Sequence, residues 1–166
     1  MQGIPLNERK RLGALLDDRP QTEVMAMIPQ FSQAETDNFV APPAKIPEAL
    51  GVLMFNMERG VNLPEIQEFL RDCPDIQPFD VILANELDDG CARSGNKNTA
   101  RELAQAFGLN YAWGLEFIEL VNDENAKGFH GNAVFSRWPI RRAGVIRLPE
   151  QYNWYFDRQK RFGRRQ

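Results

Sequence analysis

Two short apolar runs in this chain end in clusters of carboxylates and amides. Val52-Leu53-Met54-Phe55 leads into Asn56-Met57-Glu58-Arg59-Gly60, and Phe79-Asp80-Val81-Ile82-Leu83-Ala84 leads into Asn85-Glu86-Leu87-Asp88-Asp89-Gly90. Oxygen donors of this kind suit a hard cation: Mg²⁺ is commonly held by one or two carboxylates plus waters and substrate phosphates, not by an all-protein cage. Such a cation polarises a phosphoryl oxygen and offsets the negative charge that grows as a phosphate ester is attacked. Asn56 and Glu86 are the side chains suited to holding Mg²⁺ or Mn²⁺, with Glu58 and Asp88 close in sequence. The same residues also fit the ordinary reading of polar, solvated strand ends.

The elements that must position them can be read from apolar periodicity. Each apolar run is short and continuous, which predicts a strand buried on both faces with a loop at its C-terminal end. Between them, Ile66, Phe69 and Leu70 fall on one helical face, with Asn62 as N-cap, Pro64 in the first turn and Glu65 completing a capping box. That helix ends before Pro74, because proline disfavours helical geometry at the residue preceding it. A second helix is expected from the capping-box match Thr99-Ala100-Arg101-Glu102, with Leu103, Ala106 and Phe107 as its apolar face and Gly108 as a left-handed C-cap. Residues 111–120, 132–136 and 145–148 read as further strands, and Trp113, Phe117 and Trp138 as core. Strands alternating with helices argue α/β layering, and neighbouring parallel strands would bring Asn56, Glu58, Glu86 and Asp88 to one sheet edge, where such sheets bind ligands.

Residues 1–50 read as a leader or linker with one short amphipathic helix over 7–19, then a stretch broken by Pro29, Pro42, Pro43 and Pro47. The shift in composition near Leu50 is the expected domain boundary, with residues 51–166 forming the folded part. A chain of 166 residues, 43% hydrophobic and 26% charged, is globular in composition and long enough for one core. Its net charge of −3 argues against a broad basic surface for nucleic acid, although a local patch remains open, and no apolar run is long enough to span a membrane. Cys73 and Cys91 give neither a disulfide framework nor metal-ligand spacing. A cytoplasmic setting is expected. The tail Arg158-Gln159-Lys160-Arg161-Phe162-Gly163-Arg164-Arg165 is basic and reads either as a phosphate-backbone contact or as the solvated face of an interrupted helix.

Three segments together resemble the endonuclease/exonuclease/phosphatase family. Residues 52–60 resemble its first strand, whose Asn helps bind metal and substrate. Ile82-Leu83-Ala84-Asn85-Glu86-Leu87-Asp88 resembles its second motif, whose Glu is the chief metal ligand, with Asn85 where Gln is common. Gly128-Phe129-His130-Gly131-Asn132-Ala133-Val134-Phe135-Ser136-Arg137-Trp138-Pro139-Ile140 is similar to its "GNAILSRYPI"-like segment. The resemblance implies a sandwich of two sheets flanked by helices, a four-layer αββα fold, and divalent-metal-dependent hydrolysis of phosphate mono- or diesters. It implies Asn56, Glu86, His130 and Asn132 as site residues and Mg²⁺ or Mn²⁺ as cofactor.

The family's later motifs, a His after the next strand, an Asp-x-Asn pair and a C-terminal Asp-His, have no counterpart after Ile140. Asn153 and Asp157 stand in the wrong context. The expectation is therefore an N-terminal half-domain, truncated and inactive as it stands, with the inner face of its sheet uncovered and inclined to self-association. A non-catalytic interaction module is the alternative, and a Cys91–His130 thiol hydrolase is a third reading that needs the two side chains within hydrogen-bond reach. His130 reads as a phosphate contact or a hydrogen-bonded structural histidine, and Asn132 as a substrate-orienting amide or a turn residue. Arg93, Asn96 and Lys97 lie in a loop before a helix N-terminus, which holds either an anion or only solvent. Asp88 and Asp89 read as a surface acidic turn or part of a second metal site.

Overall fold

The first apolar run forms a strand whose faces differ. In the computed structural model, which describes residues 1–149 and 160–163, Val52 and Met54 are 56% and 73% exposed while Leu53 and Phe55 are half-buried. The expected burial on both faces fails because this strand lies at the sheet's edge and is covered by helix on one side only. Phe55 stacks on Phe69 of the following helix, ring centroids 5.7 Å apart.

Among the described residues the chain forms four α-helices and six strands. The helices are α1 (Leu6–Leu15), α2 (Gln21–Ala26), α3 (Leu63–Asp72) and α4 (Thr99–Phe107). The strands are β1 (Ala34–Asp37), β2 (Val52–Arg59), β3 (Val81–Asp89), β4 (Asn110–Glu119), β5 (Phe129–Ser136) and β6 (Arg161–Gly163). They make a mixed α+β protein with one six-stranded sheet, ordered β1-β4-β5-β3-β2 and with β6 also paired to β4. Only β2 and β3 run parallel, joined by the α3 crossover; the other pairings are antiparallel. β1 covers Tyr111–Gly114 and β6 covers Phe117–Glu119 along the edge of β4 away from β5.

The helices form largely where apolar spacing places them, with changes of detail at their ends. α3 stops at Cys73, before Pro74, but Asn62 caps it without a side-chain hydrogen bond. α4 is capped by Asn98, whose side chain accepts the Arg101 N–H, while Thr99 donates instead to the Asp88 carbonyl at 2.8 Å. Its buried face is Ala100, Leu103 and Ala104, and Ala106 is exposed. Gly108 takes the left-handed C-cap at φ 57°, a conformation that carries no Cβ penalty in glycine.

Residues 1–37 are not a detached leader. Leu12, Leu16, Val24, Ile28 and Phe31 are buried in the same core as the sheet, and Phe31 meets Phe162 edge-on at 5.7 Å. Within residues 1–51 the long irregular stretch is 38–51. The described part of the basic tail also departs from expectation: Arg161–Gly163 is a strand whose Phe162 is fully buried. The remainder of that tail, with Asn153, Tyr155, Phe156 and Asp157, lies outside the described residues. Residues 145–148 do not form the expected strand. They run irregularly, and Arg147 anchors them by donating from Nε to the Phe31 carbonyl at 2.8 Å. Trp113 is core; Phe117 and Trp138 are half-buried, and Trp138 lies outside any strand.

Helix-facing residues such as Ile82, Ala84, Ala133 and Phe135 are buried, and the alternate positions Leu83 and Val134 are 38% and 41% exposed. The second face of the sheet is therefore open at these positions. Residues 140–146 border it and enclose a cleft of about 700 Å³ over Leu83, Asn85, Asn132 and Val134.

Candidate functional site

One end of the open face carries a row of amides across three strands. In the parallel register Asn56 stands opposite Asn85; on the other side of β3, Ala84 pairs with Ala133, which places Asn85 and Glu86 opposite Asn132. Both registers slip here: Met57 and Glu58 oppose Glu86 alone, and Asn85 and Glu86 oppose Asn132 alone. These bulges put Glu58 (φ 46°), Arg59 (φ 65°) and Glu86 (φ 57°) in the left-handed region. For a residue with a Cβ that costs about 1–2 kcal/mol, and backbone strain of this kind gathers at functional sites.

The donor set can be tested atom by atom. Asn56 Oδ1 accepts the Glu58 N–H at 2.9 Å, which leaves it a second lone pair. Asn132 Oδ1 accepts the Glu86 N–H at 3.2 Å, so its Nδ2 is the polar atom left to donate. The Glu86 carboxylate is half-buried and makes no hydrogen bond or ion pair among the described residues. No group of three or more His, Cys, Asp or Glu side chains is gathered to hold a metal among the described residues. The Glu86 carboxylate with the Asn56 amide oxygen is a donor set that could hold Mg²⁺ or Mn²⁺ only together with substrate phosphate and water, not a closed protein cage.

Beside this row lies a buried polar cluster. Asp88, expected at the surface, is fully buried; its carboxylate accepts Arg93 Nε at 2.7 Å, Arg93 Nη2 at 2.8 Å and Ser94 Oγ at 3.1 Å. His130 Nδ1 is 3.1 Å from Asp88 Oδ1. Burial disfavours the Asp88 charge, yet the hydrogen bonds from His130 and Arg93 outweigh it and hold the carboxyl below the usual carboxylate range. Asp89 is equally inside and pairs with Lys127 Nζ at 2.7 Å.

The loop residues expected to meet a phosphate spend their side chains within the protein. Arg93 bridges Asp88 and Glu119. Asn96 donates to the Glu124 carbonyl and accepts the Ala126 N–H, and Lys97 pairs with Glu102 at 3.1 Å. Cys91 is buried, its thiol donating to the Phe129 carbonyl at 3.3 Å; burial, with Asp88 adding to it, pushes that thiol well above the ordinary cysteine range. With His130 Nδ1 facing Asp88, no Cys91–His130 nucleophile pair is formed.

Asn85 and Asp88 stand in the polar clusters named from the sequence, but their partners were not legible there. Asn85 joins the row through its pairing with Asn56, which only the strand register sets. Asp88 is buried by partners five and 42 residues away, Arg93 and His130. No protein-family model, curated protein or solved structure matches the chain.

Proposed function

We propose that this chain carries the metal- and phosphate-binding side of a divalent-metal-dependent phosphoesterase of the endonuclease/exonuclease/phosphatase type. The observation that carries the reading is the row Asn56, Asn85 and Glu86, and Asn132 across three neighbouring strands, with an uncommitted carboxylate among amides. Glu86 and Asn56 would hold Mg²⁺ or Mn²⁺, which supplies charge neutralisation at a phosphoryl oxygen. Asn132 orients an ester oxygen through Nδ2, and the strained turn at Glu86 presents the carboxylate. On this reading the sheet, with helices on one face and the other face open, is one half of an αββα sandwich.

The test is binding rather than turnover, since it addresses what these residues themselves do. Titration with Mn²⁺, followed by water-proton relaxation or calorimetry, is expected to show one site that competes with Mg²⁺. Glu86→Gln is expected to weaken it at least tenfold, about 1.4 kcal/mol. Undiminished binding in that variant would remove Glu86 from the site.

The open face favours a second reading, an interaction module that pairs with a second copy of the chain. Val52, Met54, Leu83 and Val134 expose an apolar row on it, and contiguous patches of this kind mark interaction surfaces. Sedimentation velocity is expected to show dimers or larger species that dissociate in the double variant Met54→Lys, Val134→Lys. Identical sedimentation of both proteins as monomers would end this reading.

A further inference from the structure

We infer that Asp88 is a positioning residue for His130, holding its Nδ1–H so that Nε2, a lone-pair acceptor, is offered to the O–H of a hydrogen phosphate bound beside Asn132. The phosphate half rests on the proposed function; the positioning half stands on geometry alone. Both Asp88 oxygens already accept hydrogen bonds, from the guanidinium of Arg93 and the hydroxyl of Ser94. Arg93 can only donate, so Asp88 meets His130 Nδ1, 3.1 Å away, as an acceptor, and the proton between them belongs to the imidazole. In the neutral ring this leaves Nε2 unprotonated.

Strand geometry gives that atom its direction. Residues 130, 132 and 134 of β5 alternate onto one face, the face on which Val134 is 41% exposed and Asn132 carries the link to Glu86. His130 retains 11% exposure of its side chain, and Nε2 takes no hydrogen bond among the described residues. Its cross-strand neighbour Phe117 lies alongside, ring centroids 6.2 Å apart, and limits how far the imidazole can turn. Arg93 is in turn fixed by Glu119, so the Asp88 carboxylate cannot swing away without breaking a second ion pair.

His130 is the sole histidine of the chain, so one imidazole reports the arrangement directly. Long-range ¹H–¹⁵N correlation on the ¹⁵N-labelled full chain, at alkaline pH, is expected to show the Nδ1–H tautomer. Free histidine in water prefers Nε2–H, and finding that form predominant would overturn the positioning role. Asp88→Asn, which has one oxygen acceptor in place of two, is expected to shift the population toward Nε2–H; an unchanged tautomer in a folded variant would also overturn it. Inorganic phosphate with Mg²⁺ is then expected to move the Nε2 resonance and to leave Nδ1 nearly in place. An unmoved Nε2, with the Nδ1–H form present and Mg²⁺-dependent shifts at the Glu86 and Asn132 amides, would overturn the phosphate contact alone. If Mg²⁺ moves neither amide, the metal site itself fails while the tautomer result stands.

Discussion

The side-chain oxygen of Asn132 accepts the backbone N–H of Glu86 at 3.2 Å, tying the strained turn of one strand to the neighbouring strand. An amide that serves in this way holds a carboxylate in place without touching it, and its other end stays available for a ligand. Asn132→Ala removes the acceptor and leaves a half-buried N–H to be satisfied by water, at a cost of about 1 kcal/mol. Urea unfolding is expected to show that loss, together with weaker Mn²⁺ binding. Asn132→Asp restores the acceptor and most of the stability but not a donor toward phosphate, so the two properties separate in that variant.

Glu86→Gly tests whether the site stores strain. Its φ of 57° suits glycine; relief of about 1–2 kcal/mol outweighs the roughly 0.5–1 kcal/mol of chain entropy that glycine adds to the unfolded state. The variant is expected to unfold at a slightly higher denaturant concentration than the parent while losing its metal response. A lower midpoint would mean that the Glu86 side chain stabilises the fold by more than the turn costs.

Gly131 sits between His130 and Asn132 where the strands leave no space for a side chain. A Cβ there would come within 1.9 Å of the Gly114 carbonyl oxygen and 2.8 Å of the Trp113 ring. Because the obstacle is backbone, Gly131→Ala is expected to lower stability by about 3 kcal/mol, at or beyond the upper end of overpacking effects. Trp113 should report the same displacement by a change in its near-ultraviolet circular dichroism.

Stability should fall in acid through Asp88. Its folded-state pKa lies below the ordinary value of 3.8, so the unfolded chain takes up the proton first as pH drops. The contribution is therefore complete above the unfolded value and is lost as pH falls from about 5 through the folded pKa. Unfolding midpoints between pH 7 and pH 3 are expected to decline less steeply in Asp88→Asn, which starts from lower stability at neutral pH. Parallel slopes in the two proteins would assign the acid sensitivity to other carboxylates.

Much of the framework is legible from local pattern. The apolar runs at 52–55 and 79–84, the i, i+3, i+4 spacing before Pro74 and the glycine at 108 predict β2, β3, α3 and the end of α4, because strand and helix periodicities act over a few residues. The amide and carboxylate types at the strand ends are equally visible there. Ala34–Asp37 and Arg161–Gly163 are different: neither has an apolar alternation, and each becomes a strand by pairing with β4 far along the chain. Residues 145–148 have the apolar pattern but no pairing partner among the described residues, and stay irregular.

The sequence by itself determined which side chains stand at the ends of which apolar segments, since that is a matter of order along one chain. Tertiary structure decided which of them meet. Asn56, Asn85 and Asn132 become a row only through inter-strand register, and Asp88 moves from an apparent surface turn to the interior because Arg93 and His130 close over it. Register, and the burial of a charge by partners remote in sequence, are non-local interactions. No periodicity along the chain encodes them.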